Sequence, residues 1–215
     1  ISWKREFLLT IVPNEDQAIN RDWIQYYDVL PQKYVMPCGY TTHREIRIGI
    51  DLAISKSDTA DYTAMVPALL FEREDNEDYD IYILPKIINK KIDFPETVEM
   101  CKTLSNTYKR EDCETVLVIE DVGYQKALPQ QLMDNGIFGI KTVKPGRSDK
   151  RTRLVLTANI IKSGKVKFPR QGAEELIQQI VHFGVEKHDD LADAFSMLIN
   201  NIIAEPPRVP RIYIV

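Results

Sequence analysis

The run Thr115-Val-Leu-Val-Ile-Glu120 holds four consecutive apolar residues and ends on a carboxylate. A continuous apolar run of this length is typical of a strand that is buried on both faces of a sheet. An upstream run, Ile46-Arg-Ile-Gly-Ile-Asp51, ends in the same way. Because the burial of an unpaired charge is costly, a carboxylate at the exit of a buried strand requires an explanation. Asp51 and Glu120 therefore mark the part of the sequence where a functional site is expected.

The segments around these two runs predict a mixed sheet flanked by helices. Residues 62–71 and 79–91 predict two more strands, and the polar residues 72–78 predict an exposed hairpin tip between them. Asp93-Phe-Pro-Glu96 has the residues of a capping box and predicts the start of a helix. The rest of the pattern predicts, in order, a helix at about 124–134, a strand at 138–143, a basic stretch, and helices at about 172–183 and 189–203. This order indicates an α/β fold in which a three-strand antiparallel meander is followed by parallel strands.

The predicted domain spans residues 46–203. Residues 1–45 hold scattered aromatic residues and a predicted helix at 15–28, and we expect them to form an approach segment or linker. Residues 204–215 contain three prolines and predict an extended tail. Because the chain starts with Ile1 rather than Met, we expect it to be part of a longer polypeptide.

The composition is that of a globular protein with a substantial core. Of the 215 residues, 44% are hydrophobic and 28% are charged, and no apolar run approaches the ~20 residues that a membrane span requires. The three cysteines, Cys38, Cys101 and Cys113, show no C-x-x-C spacing. This pattern argues against a disulfide scaffold and a structural zinc site, and it suits a reducing cytoplasm.

The charge is unevenly distributed along the chain. Residues 141–170 contain ten Lys or Arg residues and a single acid, Asp149, so this segment carries +9. The remaining residues carry −13, which gives the formal net charge of −4. Such segregation is expected of a protein in which one face meets phosphates and another collects carboxylates, although a solvated basic surface would show it too.

A third group of acids lies at the predicted start of the last helix, in His188-Asp-Asp-Leu-Ala-Asp193. The helix is otherwise apolar, so it should pack on the sheet and bring its first turn to the strand ends. Converging carboxylates repel one another, and oxygen ligands favour Mg²⁺ or Mn²⁺. Two such ions about 4 Å apart support phosphodiester cleavage. The alternative is that Asp189 and Asp190 simply stabilise the helix N-terminus.

In motif order, residues 46–203 resemble the C-terminal nuclease domain of tailed-phage terminase large subunits. The first motif of that family resembles two runs of this sequence, Gly49-Ile-Asp-Leu-Ala-Ile-Ser55 and Asp58-Thr-Ala-Asp-Tyr-Thr-Ala64. The second motif resembles Val118-Ile-Glu120, and the third resembles Lys187-His-Asp-Asp-Leu-Ala-Asp-Ala194. Gly164-Lys-Val-Lys-Phe-Pro169 resembles a late strand of the family, and Trp23-Ile-Gln-Tyr-Tyr27 resembles the stretch that joins the packaging ATPase to the nuclease.

The resemblance implies an RNase H-like fold and a metal-dependent endonuclease that cuts concatemeric double-stranded phage DNA during genome packaging. It implies that Asp51 bridges two Mg²⁺ or Mn²⁺ ions, that Glu120 completes one site, and that Asp190 supplies the last carboxylate. Additional metal-ligand candidates are Asp189, Asp193 and Asp61, and His188 is a possible accessory residue. The DNA-binding candidates, drawn from a predicted DNA-facing loop at 144–151 and the residues just after it, are Lys144, Arg147, Lys150, Arg151 and Arg153.

The implied partners are double-stranded DNA, an ATPase domain of the same full-length chain, a small terminase subunit and a portal protein. The implied location is the host cytoplasm, transiently on the procapsid. No G-x-x-x-x-G-K-[ST] loop occurs, so no motor activity is expected in this chain. The alternatives are another RNase H-like nuclease, such as a transposase, integrase or junction resolvase, and a non-catalytic DNA-binding module.

Overall fold

The computed structural model describes residues 18–35, 41–53, 62–72, 79–109, 113–121, 127–144, 149–184 and 189–205. The described strands are β1 (Gln25–Tyr27), β2 (His43–Asp51), β3 (Thr63–Glu72), β4 (Tyr79–Ile83), β5 (Ile88–Lys90), β6 (Glu114–Glu120), β7 (Ile140–Val143) and β8 (Val166–Pro169). The described α-helices are α1 (Phe94–Tyr108), α2 (Ala127–Asp134), α3 (Lys150–Lys162), α4 (Glu174–Val181) and α5 (Asp190–Ala204). None of these helices has the length and apolar character that a membrane span requires.

The strands form one mixed sheet. Their order is β1-β8-β4-β3-β2-β6-β7, and β5 pairs separately with β3. Strands β2, β3 and β4 form an antiparallel meander, whereas β6 runs parallel to β2 and β7 runs parallel to β6. This arrangement confirms the predicted α/β fold, a meander followed by parallel strands.

Helices cover both faces of the sheet. On one face, α3, α4 and α5 share an apolar core with inward-facing residues of the strands, among them Val66, Val118 and Phe168. On the other face, α1 and α2 pack against a second core that includes Ile48, Ile50 and Ile119. The central strands are therefore buried on both sides, as their continuous apolar sequences predicted.

Helix α1 begins as its sequence predicted. The Asp93 side chain accepts a hydrogen bond from the backbone N–H of Glu96, and the Glu96 side chain accepts one from the backbone N–H of Asp93. This reciprocal capping box satisfies two amides that the helix itself leaves without partners.

Three local predictions were wrong. Instead of a helix at 15–28, the described residues 18–28 form a short 3-10 helix (Arg21–Trp23) and β1, because β1 finds a parallel partner in β8. The strand predicted at 79–91 is divided into β4 and β5, and Lys86 between them has a positive φ of 66°. The loop predicted at 144–151 ends earlier, because Asp149 caps α3 and places Lys150 and Arg151 in its first turn.

Two predicted features lie outside the described residues. These are most of the hairpin tip at 72–78 and the tail beyond Glu205. Upstream of residue 46, the described structure already contributes to the sheet through β1 and the first residues of β2, and Ile19 is fully buried.

Candidate metal and nucleic-acid site

Alternate residues of β2 face helix α5. Arg47 Nη1 donates a 3.0 Å hydrogen bond to Asn201 Oδ1 of α5. Two residues later, a Cβ placed on Gly49 would lie 2.7 Å from Ala194 O and 2.7 Å from Leu198 Cβ of the same helix. Because side chains alternate along a strand, Asp51 lies next on this face, at the end of β2 and towards the N-terminus of α5.

Glu120 reaches the same edge of the sheet from the neighbouring strand. Strands β2 and β6 are parallel, and their last paired residues are Ile50 and Ile119. Asp51 and Glu120 are each one residue beyond this pair. On β6, Val118 belongs to the core on the α5 face, so Glu120 lies on that face as well. The two carboxylates that end the apolar runs therefore lie side by side.

Helix α5 brings two more carboxylates to this edge. Asp190 and Asp193 lie in its first turn and are 5% and 6% exposed. The side chain of Asp189, at the N-cap position, makes no capping hydrogen bond. Instead, Gln179 of α4 caps the helix, because its Oε1 accepts hydrogen bonds from the backbone N–H groups of Leu191 and Ala192. Helix capping therefore does not explain the acid at position 189.

The proximity of these acids changes the titration of Asp51. Burial, the largest cause, and the negative charges of Asp193, Asp190 and Glu120 together raise its pKa to about 7. Lys150 opposes this shift. Burial also raises the pKa of Asp193, although hydrogen bonding to Lys150 lowers it in part. The site therefore holds more negative charge than its immediate surroundings compensate.

Two cations of α3 contact these acids. Lys150 Nζ lies 3.0 Å from Asp189 Oδ1 and 2.5 Å from Asp193 Oδ2. Arg153 donates from Nη1 to Glu120 Oε1 at 2.9 Å and from Nη2 to Asp193 Oδ1 at 3.2 Å. Partial burial alone would lower the pKa of Lys150, but its hydrogen bonds to Asp193 and Asp189 raise it overall. Both side chains are therefore cationic within the cluster.

The basic residues predicted to bind DNA occupy different environments. Lys150 and Arg153 form ion pairs with the carboxylates, whereas Lys144 and Arg151 are exposed. A cavity of about 510 Å³ adjoins the carboxylate of Glu120, and its lining also includes Arg153 and Lys144 together with apolar side chains of β7, α3 and α5. Arg147, Asp61 and His188 lie outside the described residues.

The donor atoms of this cluster fit a hard divalent cation in kind, because all of them are carboxylate oxygens. After burial, the charges of Asp193, Asp190 and Glu120 contribute to the raised pKa of Asp51, and such a cation would offset this repulsion. As the side chains stand, no three acidic, His or Cys residues of the described part of the chain are grouped so that they could hold a metal ion. In the described arrangement, the ammonium and guanidinium groups of α3 lie among the carboxylates instead.

Sequence reasoning missed the residues that hold this site together. Arg47 and Asn201 join β2 to α5, Gln179 caps α5, and the backbone carbonyl of Arg153 accepts a 2.9 Å hydrogen bond from Asn200 Nδ2. The available signals were a single Arg inside an apolar strand and an Asn pair inside an apolar helix. A polar residue in such a position needs a partner when it is buried.

Comparison with known proteins gives a family and a fold. A family model described as the terminase RNase H-like domain matches residues 48–202. The chain is similar to the large terminase nuclease of the thermophilic phage G20c with bound magnesium, at 15% identity and a TM-score of 0.56, over 87% of this chain and 98% of that one. The cobalt-bound structure gives the same values. For the zinc-bound structure, the identity is 16% and the TM-score 0.52, over 83% and 94% of the two chains.

A search of curated protein sequences found no match. At these identities the structural similarities establish the RNase H-like fold, while the family model covers most of the chain and includes all three elements that carry the carboxylates. The chain belongs to the terminase RNase H-like domain family.

Proposed function

We propose that this domain is a metal-dependent endonuclease that cleaves double-stranded DNA. The observation that carries the proposal is the convergence of acids from β2, β6 and α5 at one edge of the sheet, where their charges add to the larger effect of burial and the pKa of Asp51 is raised to about 7. Carboxylates at the ends of neighbouring strands and on a helix packed over them are suited to holding divalent cations close to a phosphodiester.

In this proposal, Asp51, Glu120 and Asp190 hold the cations. Asp51 would serve as a ligand of both ions, and this assignment is supported by the interaction of its charge with acids on both β6 and α5. Asp189 and Asp193 are the alternative ligands of α5. The chemistry that Mg²⁺ or Mn²⁺ supplies in such a site is Lewis-acid activation of the phosphodiester and of water. The part played by the protein is to orient the carboxylates and to hold the DNA backbone.

The proposed substrate-binding surface is the basic segment next to the carboxylates. Lys144 and Arg151 are exposed, and Lys144 lines the cavity that adjoins Glu120 and Arg153. Lysine and arginine side chains that contact phosphates confer affinity without reading the base sequence. We therefore expect cleavage to have little sequence preference.

Family membership favours a role in genome packaging. The G20c proteins to which the chain is similar are large terminase nucleases, and they were crystallised with magnesium, cobalt or zinc. We propose that the DNA cut by this domain is concatemeric phage DNA, in the host cytoplasm and transiently at the procapsid. In the same proposal, its partners are an ATPase domain of the full-length chain, a small terminase subunit and a portal protein. Residues 1–45 are the linker to that ATPase domain.

A plasmid-nicking assay tests the proposed activity. The wild-type chain should nick supercoiled plasmid with Mg²⁺ or Mn²⁺ and should stop nicking when EDTA is added, whereas Asp51→Asn should lose at least about a hundredfold in rate. Asp134→Asn is the matched control, because it removes one exposed carboxylate from α2 on the opposite face of the sheet.

Equal nicking by the wild-type and Asp51→Asn chains would contradict the proposed mechanism. A chain that binds DNA but does not cut it with any divalent cation would support the non-catalytic DNA-binding module instead. Preferential cutting of branched rather than linear duplexes would favour a junction-resolving nuclease of the same fold.

A further inference from the structure

Lys150 lies at the place in the carboxylate cluster where a bound cation would be expected. Its ammonium bridges Asp189 and Asp193 of α5, and its charge also acts on Asp51 of β2. It stands in the first turn of α3, where the helix dipole disfavours a positive charge. The attraction that holds the ammonium in this place therefore comes from the acids.

The two cations of the cluster differ in how firmly they are held. The Arg153 side chain is 20% exposed, and its guanidinium joins Glu120 to Asp193 through two separate N–H groups. The Lys150 side chain is 53% exposed and ends in a single ammonium on a flexible stem. Arg153 is therefore a fixed part of the site, whereas Lys150 can leave the carboxylates at a small cost in packing.

A divalent cation that takes Asp193 or Asp189, the alternative ligands of α5, would compete with the Lys150 ammonium for the same oxygens. Each neutralises Asp193 and reduces the repulsion that Asp51 experiences. The metal ion and the ammonium cannot both lie within bonding distance of one carboxylate oxygen, because their positive charges would repel each other strongly. Any metal that binds the Asp193 side of the cluster must therefore displace Lys150.

A displaced Lys150 would remain close to the expected path of the DNA. It follows residues 141–149 of the basic segment and precedes the exposed Arg151 on the same helix turn. An ammonium on a long, exposed stem is well suited to contact a phosphate oxygen. The positive charge of the displaced Lys150 would then be available to contact the DNA substrate.

We propose that Lys150 is a displaceable internal cation that couples metal binding to DNA binding. Without a divalent cation, it holds Asp189 and Asp193. When a divalent cation binds, the Lys150 ammonium is released to the phosphodiester backbone, so the metal and the DNA each strengthen the binding of the other. This inference rests on the proposed nuclease function and adds to it the way in which part of the negative charge of the site is offset before a metal binds.

Metal affinity without DNA provides the first test. Titration calorimetry should show that Lys150→Gln binds Mn²⁺ at least about fivefold more tightly than the wild-type chain, because the competing ammonium is gone. Lys150→Arg should stay close to the wild type, since it keeps the charge. Lys109→Gln is the matched control for the loss of one positive charge, because it removes an exposed lysine at the C-terminal end of α1, on the opposite face of the sheet. Its Mn²⁺ affinity should change by less than about twofold. Thermal unfolding of each variant checks that it is folded.

DNA affinity provides the second test. Fluorescence anisotropy with a labelled duplex, in Ca²⁺ or in EDTA, measures how much a non-activating divalent cation tightens binding. The wild type and Lys109→Gln should both bind DNA more tightly in Ca²⁺ than in EDTA, whereas Lys150→Gln should lose most of this gain. By linkage, Lys150→Gln should also lose the tightening of metal binding that DNA produces in the wild type.

An unchanged or weaker Mn²⁺ affinity of Lys150→Gln would overturn the proposed competition. A tighter Mn²⁺ affinity with an unchanged Ca²⁺ gain would overturn the transfer of Lys150 to DNA. Failure of the proposed function would give a different result, because neither the wild type nor Lys150→Gln would then bind Mn²⁺. That result would also contradict the proposed coupling.

Discussion

Gly49 of β2 and Ala194 of α5 are so close that a Cβ on Gly49 would lie 2.7 Å from the Ala194 carbonyl oxygen. The contact partner is helix backbone, so it cannot be relieved by rotating a side chain. The absence of a side chain at Gly49 therefore sets how closely α5 approaches the sheet two residues before Asp51.

Gly49→Ala should push α5 away from β2. Because the insertion of a methyl group into a packed interface forces a backbone shift, we expect a loss of about 1–3 kcal/mol in the free energy of unfolding, measured by urea denaturation. The same shift should weaken Mn²⁺ binding, since Asp190 and Asp193 move with α5. Gly136→Ala is the control, because Gly136 has a φ of 81° and open space around it. That variant should lose stability through backbone strain and keep its Mn²⁺ affinity.

Arg47 provides a second attachment between β2 and α5. It is 3% exposed, and it hydrogen-bonds to Glu45 through Nε and Nη2 and to Asn201 through Nη1. Arg47→Met should lower the free energy of unfolding by about 3–5 kcal/mol, because it leaves a partly buried carboxylate and a buried amide without this partner. Lys102→Met, which removes an exposed charge of α1, should have an effect within about 0.5 kcal/mol.

A double variant separates the contact between Arg47 and Asn201 from the loss of packing. If the contact contributes, Arg47→Met with Asn201→Leu should lose less stability than the sum of the two single variants. Strict additivity in urea denaturation would contradict the proposed role of this pair.

The titration of Asp51 should appear in the stability of the metal-free chain. The pKa of its folded-state carboxyl is raised from 3.8 to about 7, so the folded state binds a proton that the unfolded state has already released between these two pH values. The contribution of this group to stability is therefore greatest at low pH and declines as the pH rises to about 7.

Asp51→Asn removes this dependence. In EDTA, the stability of Asp51→Asn relative to the wild type should increase from pH 4 to pH 7 and then level off, as measured by urea denaturation at several pH values. For Asp134→Asn, the difference from the wild type should stay nearly constant over the same range. A difference that is also constant for Asp51→Asn would contradict the raised pKa.

The sequence predicted the parts of the site that depend on local pattern. The apolar runs that end at Asp51 and Glu120, and the apolar sequence of α5, were sufficient to place their elements side by side. Helix α3 was missed because its inward-facing residues are few (Leu154, Thr157 and Ile161), and exposed Val155 and Leu156 interrupt its periodicity.

The ion pairs of the cluster depend on this missed helix. Lys150 lies 39 residues before Asp189, and Arg153 lies 33 residues after Glu120, so no spacing in the sequence indicates that they meet. From their positive charge, the sequence predicted that Lys150 and Arg153 contact DNA phosphates. Only the packing of α3 against α5 shows that their nearest anions are carboxylates of the protein itself. The roles of the carboxylates and of the basic residues stay predictions.

The cap that Gln179 provides gives position 189 an unusual freedom. An aspartate at this position commonly accepts hydrogen bonds from the amides that follow it, and its replacement by alanine costs about 0.5–2 kcal/mol of stability. Here those amides are bonded to another helix, so Asp189 can be exchanged for a neutral or longer residue with little harm to α5. An engineer could therefore adjust the negative charge of this edge through a single side chain while the framework stays intact.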